Sequence, residues 1–399
     1  MYTTPIRSTK YAKSTHILGH TSSGMGEKTL ALKMQKAITQ AGYHSFPIVD
    51  ILEFLGEDYE SLAQLNYDLA SHEHSLLDDL KEKHLEGGDL LLILSWCFSV
   101  AALLATGIHK KQPTAIKLFA HHPNERIIKK LYEPANLIIT ESLLANERAL
   151  TYGFDPAKVL YLPHTYPAEC ADFTANRNYV QRLAQEQGKS VGKNTQVIGC
   201  VGRLEYGKNY EFAVEAVRRL FIQKKDVLLV LKGDFSTTSP YPDYQPLFTK
   251  MLHAYAHEPW LLWDRTSTPF PQVLEEYASF DLLLHPSGAE GGSHVVVECL
   301  GLGKPVIVLD CSTNPYLFKD LAIFVQTTGE MRPGQLCFYV PDMDHLCQVL
   351  SRELKVPDPA QVEARFHERV LAARIPLLFE PEADTIKKLY AEDRKLYSI

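Results

Sequence analysis

The chain has 399 residues, 45% of them hydrophobic and 22% charged, with a formal net charge of -7. This length exceeds what a single hydrophobic core usually supports, so it predicts two domains, and the composition excludes wholesale disorder. The net negative charge provides no overall electrostatic attraction for nucleic acid, so we expect no nucleic-acid partner. Seven cysteines without a CxxC pair are typical of reduced thiols in a cytoplasmic protein, and they predict no zinc site.

Apolar strand-like runs alternate with helical patterns along the whole chain, which predicts parallel sheets of the α/β class. In the first half, a helix is predicted over 28–40 and strands at 16–18, 45–49, 90–94, 115–119, 137–139 and 159–162. In the second half, strands are predicted at 197–201, 227–231, 260–262, 282–284, 306–309 and 321–325. A polar stretch near 168–194 separates the two series. We therefore predict domains over 1–193 and 194–381, with a last helix within 382–399 that is able to pack back on the first domain.

Residues 90–108 carry no charge over 19 positions, which meets the length of a membrane span. Polar residues interrupt this run, and we interpret it as a buried strand followed by a helix over 100–106. The first residues of the chain lack an apolar core behind their basic side chains, so we expect no secretory signal.

The most informative stretch passes from an apolar strand through a glycine-containing loop into a helix predicted over 293–302. Glu290 lies in the loop, and Glu298 lies about two turns inside the helix. Free backbone N–H groups at the helix start, with Gly291 and Gly292 allowing close approach, form an anion site. The layout suits a diphosphate with one acid facing each end of the attached molecule, as a sugar nucleotide requires.

Two cations follow the first strand of the second series. Arg203 and Lys208 leave the carboxyl end of strand 197–201 just before a helix, where open α/β sheets bind ligands. An arginine fork and a lysine point charge suit a diphosphate and its developing negative charge. The alternative is a pair of ordinary surface cations, and the Glu290 stretch downstream disfavours it.

Together these stretches resemble glycosyltransferase family 4, retaining enzymes of the two-domain GT-B fold that use nucleotide sugars. The matching positions are Gly202, Arg203, Lys208, Glu290, Glu298 and residues 299–306. In the first half the resemblance is fainter and rests on residues 137–144 and 158–163. It implies two Rossmann-like, doubly wound parallel-sheet domains facing a central cleft, with the donor on the C-terminal domain. The acceptor, a glycan, lipid, protein or small molecule, is implied to bind mostly on the N-terminal domain.

The resemblance also implies residue roles. Arg203 and Lys208 are implied to hold the diphosphate and stabilise it as a leaving group. Glu290 is implied to contact the transferred sugar as a positioning group, not as a covalent nucleophile, and Glu298 to contact the ribose. Donor-binding amides are implied around Gly291, Gly292, Ser293 and His294.

Retaining transfer without a metal or cofactor is implied by the same resemblance, because the two cations neutralise the diphosphate. A UDP-sugar is favoured slightly over a GDP- or ADP-sugar. The chain departs from the family in having Gly292-Ser293-His294 in place of an aromatic-Gly-Leu run, and His294 adds a titratable donor beside the phosphate site. Residues 295–297 are all valine, a weak helix-forming run.

The first half offers less specific candidates. Gly24 and Gly26 lie in a loop that matches neither a phosphate-binding loop nor a dinucleotide fingerprint, and they are either donor-approaching glycines or parts of a tight turn. His121 is favoured over His122 as a catalytic residue facing the sugar, the alternative being a plain loop pair. The basic region 109–130 is a peripheral contact with anionic membrane lipid, a contact for a phosphorylated acceptor, or a solvated face, and the solvated face is favoured.

We therefore predict a cytoplasmic glycosyltransferase. One alternative of similar fold is a sugar-nucleotide epimerase, and another is a non-catalytic protein that binds a sugar nucleotide. The pairing of Arg203 and Lys208 with Glu290 and Glu298 argues against both.

Overall fold

The computed structural model describes residues 13–19, 26–55, 85–94, 100, 103–104, 106–118, 125–235, 243–270, 272–288, 290–331 and 338–397. The chain forms two compact units, each containing a parallel sheet. The first comprises Met1–Thr140, Ala145–Leu162 and Leu371–Ala391, and the second comprises Glu141–Leu144, Pro163–Val370 and Glu392–Ile399.

The first sheet has seven parallel strands in the order β2-β1-β4-β5-β6-β7, with β3 also pairing with β1. Its strands are β1 (Ser14–Gly19), β2 (His44–Ser45), β3 (Val49–Asp50), β4 (Leu90–Leu94), β5 (Thr114–Lys117), β6 (Leu137–Thr140) and β7 (Val159–Tyr161). The single strand predicted at 45–49 is instead two short ones. Pro47 lies between them, and its missing N–H cannot contribute to a ladder.

The second sheet has six parallel strands in the order β10-β9-β8-β11-β12-β13. They are β8 (Gln196–Val201), β9 (Val227–Lys232), β10 (Leu261–Asp264), β11 (Leu282–His285), β12 (Val306–Leu309) and β13 (Ile323–Val325). In chain order this is the 3-2-1-4-5-6 arrangement of dinucleotide-binding folds, and its direction of winding reverses between β8 and β11. An antiparallel pair that the sequence did not predict follows it, β14 (Thr327–Met331) with β15 (Phe338–Pro341).

Helices cover the remaining regular structure. Their bounds are Gly26–Gln40, Ile51–Leu55, Glu125–Tyr132, Leu143–Thr151, Asn178–Glu186, Tyr210–Ile222, Tyr244–Ala254, Val273–Ala278, His294–Gly301, Asn314–Phe318, Met343–Leu350, Pro359–Phe366, Glu368–Ala372, Pro376–Phe379 and Ala383–Leu396. Short 3-10 turns occur at Ile108–Lys110, Pro156–Lys158 and Ala168–Asp172. The helices predicted at 28–40 and 293–302 are confirmed to within two residues.

The boundary between the units differs from the predicted domain boundary, because residues 163–193 lie with the second unit. The helix Asn178–Glu186 explains this. The Tyr179 hydroxyl donates to Asp264 Oδ2 at the end of β10 over 2.7 Å, and Tyr179 and Phe280 pack edge to face. A connection that looked polar in sequence is therefore attached to the second sheet.

The chain returns to the first unit after residue 370. Leu371, Ile375 and Ile386 lie in one buried cluster with strand residues such as Ile17 and Leu92. The last helix thus contributes its early part to the core of the first unit.

The uncharged stretch 90–108 is not a membrane span. Its first five residues form β4, all of them buried, and Ile108 begins a 3-10 turn. Much of the helix predicted over 100–106 lies outside the described residues. Across the part of the chain that the structure describes, no helix is long and apolar enough to cross a membrane.

Candidate active site

Two loops meet where the winding of the second sheet reverses. One, 202–209, follows β8, and the other, 286–293, follows β11. The Gly288 N–H donates to the carbonyl oxygen of Gly207 over 2.8 Å, and Asn209 Nδ2 donates to the carbonyl oxygen of Pro286 over 2.8 Å. The carboxyl ends of strands at such a reversal form a crevice, which is where open α/β sheets bind ligands.

The loop after β8 depends on two unusual backbone positions. Gly202 has φ 142°, and a Cβ there would run into the hydroxyl of Tyr210. Asn209 has φ 57°, a left-handed conformation that asparagine tolerates better than most residues. These two positions turn the chain so that Lys208 points toward the second loop.

Lys208 and Glu290 form the central pair of the site. Lys208 Nζ lies 2.5 Å from Glu290 Oε1, and His285 Nε2 lies 2.8 Å from the same oxygen. His285 is the last residue of β11, so a strand end and a turn after the neighbouring strand both contact one carboxylate oxygen. Lys208 and Glu290, which the sequence predicted in one site, are therefore in direct contact.

The backbone of Glu290 is fixed by the loop after β12. Its carbonyl oxygen accepts hydrogen bonds from Ser312 Oγ over 2.7 Å and from Thr313 Oγ1 over 2.9 Å. Three separate segments therefore determine the position of this one acid, although local sequence shows it only as a loop residue.

The carboxylate of Glu290 is kept ionised. Burial alone would raise its pKa, but the charge of Lys208 and the hydrogen bond from His285 outweigh burial and hold the pKa well below the ordinary value. Both partners contact Oε1, whereas Oε2 has no hydrogen-bond partner in the described part of the chain. Glu290 therefore presents one anchored oxygen and one oxygen able to accept from a ligand.

Arg203 lies in the same loop as Lys208. Its Nη2 is 3.4 Å from Glu205 Oε1, and this is the one ion pair of Arg203 within the described ranges. A guanidinium has five N–H donors, so most of its donor capacity is unused. Arg203, Glu205 and Glu290 all act electrostatically on the buried phenol of Tyr210, whose pKa is raised first by burial.

A helix begins directly after the Glu290 loop, and we call His294–Gly301 the site helix. Ser293 caps it with extended backbone at φ -109° and ψ 115°, and its side chain makes no capping hydrogen bond. The valine run forms helix despite its weak propensity because Val296 and Val297 are fully buried, and tertiary packing outweighs local preference. Glu298 lies in the second turn of the site helix and is 3% exposed.

The start of the site helix carries a contact that the sequence did not reveal. His164 Nδ1 lies 3.1 Å from His294 Nδ1, and Glu141 Oε1 lies 3.5 Å from His164 Nε2. Glu141 directly follows β6 of the first sheet, and His164 lies three residues after the end of β7. The signal for them was their position at the ends of the two predicted strands that carried the faint resemblance. His285 had a similar signal, as a polar residue ending an apolar strand.

The remaining predicted residues belong to the first half of the chain or to the loop before the site helix. Gly24 and His121 lie outside the described residues, and Gly26 begins the helix Gly26–Gln40. Gly291 is an exposed bend residue between Glu290 and Gly292. Considering only described residues, no group of three or more His, Cys, Asp or Glu side chains is arranged to hold a metal ion.

Comparisons with known proteins agree with this architecture. Residues 181–331 match the family described as glycosyl transferases group 1. No curated protein matches the sequence. Among solved structures, HepE of Anabaena in complex with UDP and glucose is similar with a TM-score of 0.62 at 14% identity, covering 93% of this chain and 100% of that one.

Two sugar-phosphate synthases are also similar. Sucrose-phosphate synthase from Thermosynechococcus elongatus has a TM-score of 0.59 at 14% identity, covering 95% of this chain and 98% of that one. The trehalose-phosphate synthase (UDP-forming) from Burkholderia xenovorans, in complex with glucose-6-phosphate, has a TM-score of 0.55 at 14% identity, covering 96% and 99%.

These solved structures are GT-B glycosyltransferases, and the likeness spans nearly the whole chain. The predicted fold class, two Rossmann-like parallel-sheet domains of GT-B type, is confirmed. The family match falls on the unit that contains Arg203, Lys208, Glu290 and Glu298, and assignment to family 4 stays a prediction. The chain thus has the GT-B fold, and its second sheet and the loops of the candidate site are similar to group 1 glycosyl transferases.

Proposed function

We propose that this protein is a retaining glycosyltransferase that moves a sugar from a nucleoside-diphosphate sugar to an acceptor hydroxyl. One observation carries the proposal. At the reversal point of the second sheet, Lys208 contacts Glu290 while Glu290 Oε2 and most Arg203 donors stay without partners in the described structure. Cations for a diphosphate and an acceptor oxygen for sugar hydroxyls are therefore present together, which is the combination that a sugar nucleotide needs.

The cations act on the leaving group. Departure of the sugar leaves negative charge on the diphosphate, and we propose that Arg203, Lys208 and the N–H groups at the start of the site helix face that charge. Preorganised donors of this kind lower the barrier without reorganising during the reaction. Because they supply the neutralising charge, we propose that the transfer needs no metal.

Glu290 positions the sugar. Its lowered pKa makes it a weak base, so it is poorly suited to remove the acceptor proton near neutral pH. An ionised carboxylate with Oε1 fixed by Lys208 and His285 is well suited to accept hydrogen bonds from sugar hydroxyls through Oε2. We propose that role for Glu290, contact with the ribose for Glu298, and donor contacts for the backbone of residues 291–294.

We propose a UDP-sugar as the donor and the cytoplasm as the location. The HepE structures contain UDP, UDP with glucose, or UDP-glucose, and the trehalose-phosphate synthase is described as UDP-forming. In the first half of the chain we propose that Gly24, Gly26 and His121 approach the donor and acceptor. The acceptor is a glycan, lipid, protein or small molecule, with a lipid surface near 109–130 as one way of reaching it.

Incubation with UDP-, GDP- and ADP-sugars and a mixed acceptor panel tests the proposal. Release of free UDP together with a glycosylated acceptor of unchanged anomeric configuration supports it. An altered sugar still attached to UDP would instead identify an epimerase, and tight binding without any turnover would identify a binding protein. Inversion at the anomeric carbon would overturn the retaining mechanism alone.

A further inference from the structure

Four charged side chains in the two loops of the candidate site form two separate ion pairs. Lys208 contacts Glu290. Arg203 Nη2 lies 3.4 Å from Glu205 Oε1. Glu205 and Glu290 both lie close enough to the buried phenol of Tyr210 to act on it electrostatically, so the two pairs are near each other. Each of the two cations assigned to the diphosphate therefore already has a carboxylate of the protein as its counter-ion.

The two acids are held very differently. Glu290 has a hydrogen bond with His285, and two hydroxyl groups in the loop after β12 hold its backbone. The carboxylate of Glu205 has Arg203 as its one ion-pair partner and makes no side-chain hydrogen bond among the described residues. With 27% and 20% of these two side chains exposed, solvent weakens the pair. Glu205 is therefore the acid that separates easily from its cation.

Glu205 belongs to the turn that brings the two cations together. Its carbonyl oxygen accepts a hydrogen bond from the N–H of Lys208 over 3.1 Å, and Arg203 lies two residues before it. A guanidinium has five N–H donors and can contact two anions at once. However, a carboxylate and a diphosphate on one guanidinium are like charges at short distance and repel each other. Each of them therefore weakens the hold of Arg203 on the other.

We propose that Glu205 is a competing counter-ion that weakens the binding of nucleoside diphosphates, and that it weakens the released UDP more than a UDP-sugar. Arg203 separates from Glu205 when the diphosphate binds and returns to it when the product departs. No covalent bond changes in this exchange. The inference rests on the proposed function and adds to it a residue that favours product release.

The difference between product and donor follows from their charges. Each phosphate in the diphosphate of UDP-glucose carries one negative charge. The terminal phosphate of free UDP carries roughly two at pH 8, because the second ionisation of a phosphate group lies near pH 6. The carboxylate of Glu205 therefore repels UDP more strongly than UDP-glucose. An acid at this position works against product inhibition and lowers donor affinity to a smaller extent.

Glu205→Gln tests the proposal because it keeps the size of the side chain and removes its charge. We expect the Kd for UDP, measured by calorimetric titration at pH 8, to fall about 2- to 5-fold, the range that partly exposed ion pairs allow. The Kd for UDP-glucose should fall by a smaller factor. An unchanged or higher Kd for UDP would overturn the proposal, since a higher Kd means that Glu205 holds Arg203 in its binding position.

Glu275→Gln is the matched control, because Glu275 is an exposed acid in the helix Val273–Ala278 of the same unit. It changes the net charge equally and should bind both nucleotides as wild type does. Arg203→Ala is the second comparison. In that background Glu205→Gln should tighten UDP binding less than it does in wild type, because the competition for the guanidinium is gone. An undiminished gain would overturn the exchange of partners.

A ligand-free readout separates this inference from the proposed function. The side-chain Nε–H resonance of Arg203, assigned with Arg203→Lys, should differ between wild type and Glu205→Gln before any ligand is added. Equal resonances would overturn the inference whatever the donor is. If the resonances differ but neither UDP nor UDP-glucose binds to wild type or Glu205→Gln, the donor assignment fails and the proposed competition fails with it.

Discussion

Two lysine–carboxylate pairs, one buried and one with a half-buried lysine, lie at the carboxyl ends of neighbouring strands in the second sheet. They differ in how many of their hydrogen-bonding groups have partners. Lys232, the last residue of β9, lies 2.7 Å from Asp264 Oδ2 and 2.9 Å from Glu276 Oε2, and it also donates to the carbonyl oxygen of Thr266. Lys208, just after β8, contacts Glu290 as its one side-chain partner among described residues.

The acids show the same difference. Asp264 accepts from Lys232, the Tyr179 hydroxyl and both the N–H and hydroxyl of Thr266, so both of its oxygens have partners. Glu290 has partners on Oε1 alone in the described structure. A buried pair whose groups are all satisfied holds a fold together, whereas a pair with unused donors and acceptors in a crevice is suited to a ligand. Charge alone does not separate the two cases.

The largest expected effect is on the free energy of unfolding, at the Lys232–Asp264 pair. Lys232→Met removes the cation between two buried acids, and breaking such a pair typically costs about 3–5 kcal/mol. Urea unfolding followed by tryptophan fluorescence measures it, since Trp260 and Trp263 both lie in the second unit. The exposed Lys250→Met in the same unit is the control and should change stability little. If Lys232→Met lowers the free energy of unfolding by less than about 1 kcal/mol, the Lys232 pair does not have the structural role given to it here.

The second-largest expected effect is on activity, at the Lys208–Glu290 pair. Lys208→Ala should lower kcat/KM with the cognate donor by about 10²- to 10³-fold, the range for removing one preorganised donor from a developing charge. Its stability should fall by less than that of Lys232→Met, because Glu290 keeps its hydrogen bond with His285. Steady-state kinetics and urea unfolding of the same preparations give both numbers. Activity near wild type in Lys208→Ala and Glu290→Ala together would contradict the site.

The pH dependence of stability sharpens the comparison at Asp264. Burial would raise the pKa of Asp264, but Lys232, Thr266 and Tyr179 lower it from an ordinary 3.8 to about 2. Since the folded pKa is the lower one, the carboxylate stabilises the fold above about pH 4, and about 2 kcal/mol of that contribution is lost as the pH falls toward 2. The stability gap between wild type and Asp264→Asn should therefore shrink between pH 6 and pH 3, and a constant gap would count against the ion pair.

The smallest predicted effect concerns the support of Glu290. Thr313→Val keeps the shape of Thr313 but removes the hydroxyl that donates to the Glu290 carbonyl oxygen. Because Ser312 still donates to that oxygen, we expect a loss of about 1 kcal/mol in unfolding free energy and a rise of only a few-fold in the KM for the donor. A larger effect on kcat than on KM would show that Thr313 does more than hold the loop.

Most of the fold could be predicted from local sequence. Buried parallel strands appear as apolar runs, and the helices between them show apolar residues at helical spacing. The strands at 90–94 and 306–309 match the structure residue for residue. The strand at 45–49 was wrong because Pro47 splits it. The pair β14–β15 was missed because the sequence of β14, Thr-Thr-Gly-Glu-Met, contains no apolar run. The boundary near residue 163 depends on long-range packing of Tyr179 that no local pattern contains.

The site could be predicted where its residues belong to short motifs, and not where they come together across the chain. Lys208 and Glu290 were paired in advance through their separate motifs, and the contact is 2.5 Å. His285, Ser312 and His164 had no motif of their own, because each acts through a partner at least five residues away in sequence. Local sequence likewise does not show which carboxylate oxygen of Glu290 already has hydrogen-bond partners, because that depends on three-dimensional contacts.

Calorimetric binding of UDP-glucose to wild type, Lys208→Ala and Lys232→Met, at a temperature where all three are folded, tests the comparison most directly. The account predicts that Lys208→Ala binds at least about tenfold more weakly than wild type, which corresponds to about 1.4 kcal/mol. Lys232→Met should bind as wild type does despite its lower stability. Unchanged binding by Lys208→Ala, or a loss of binding confined to Lys232→Met, would contradict the account.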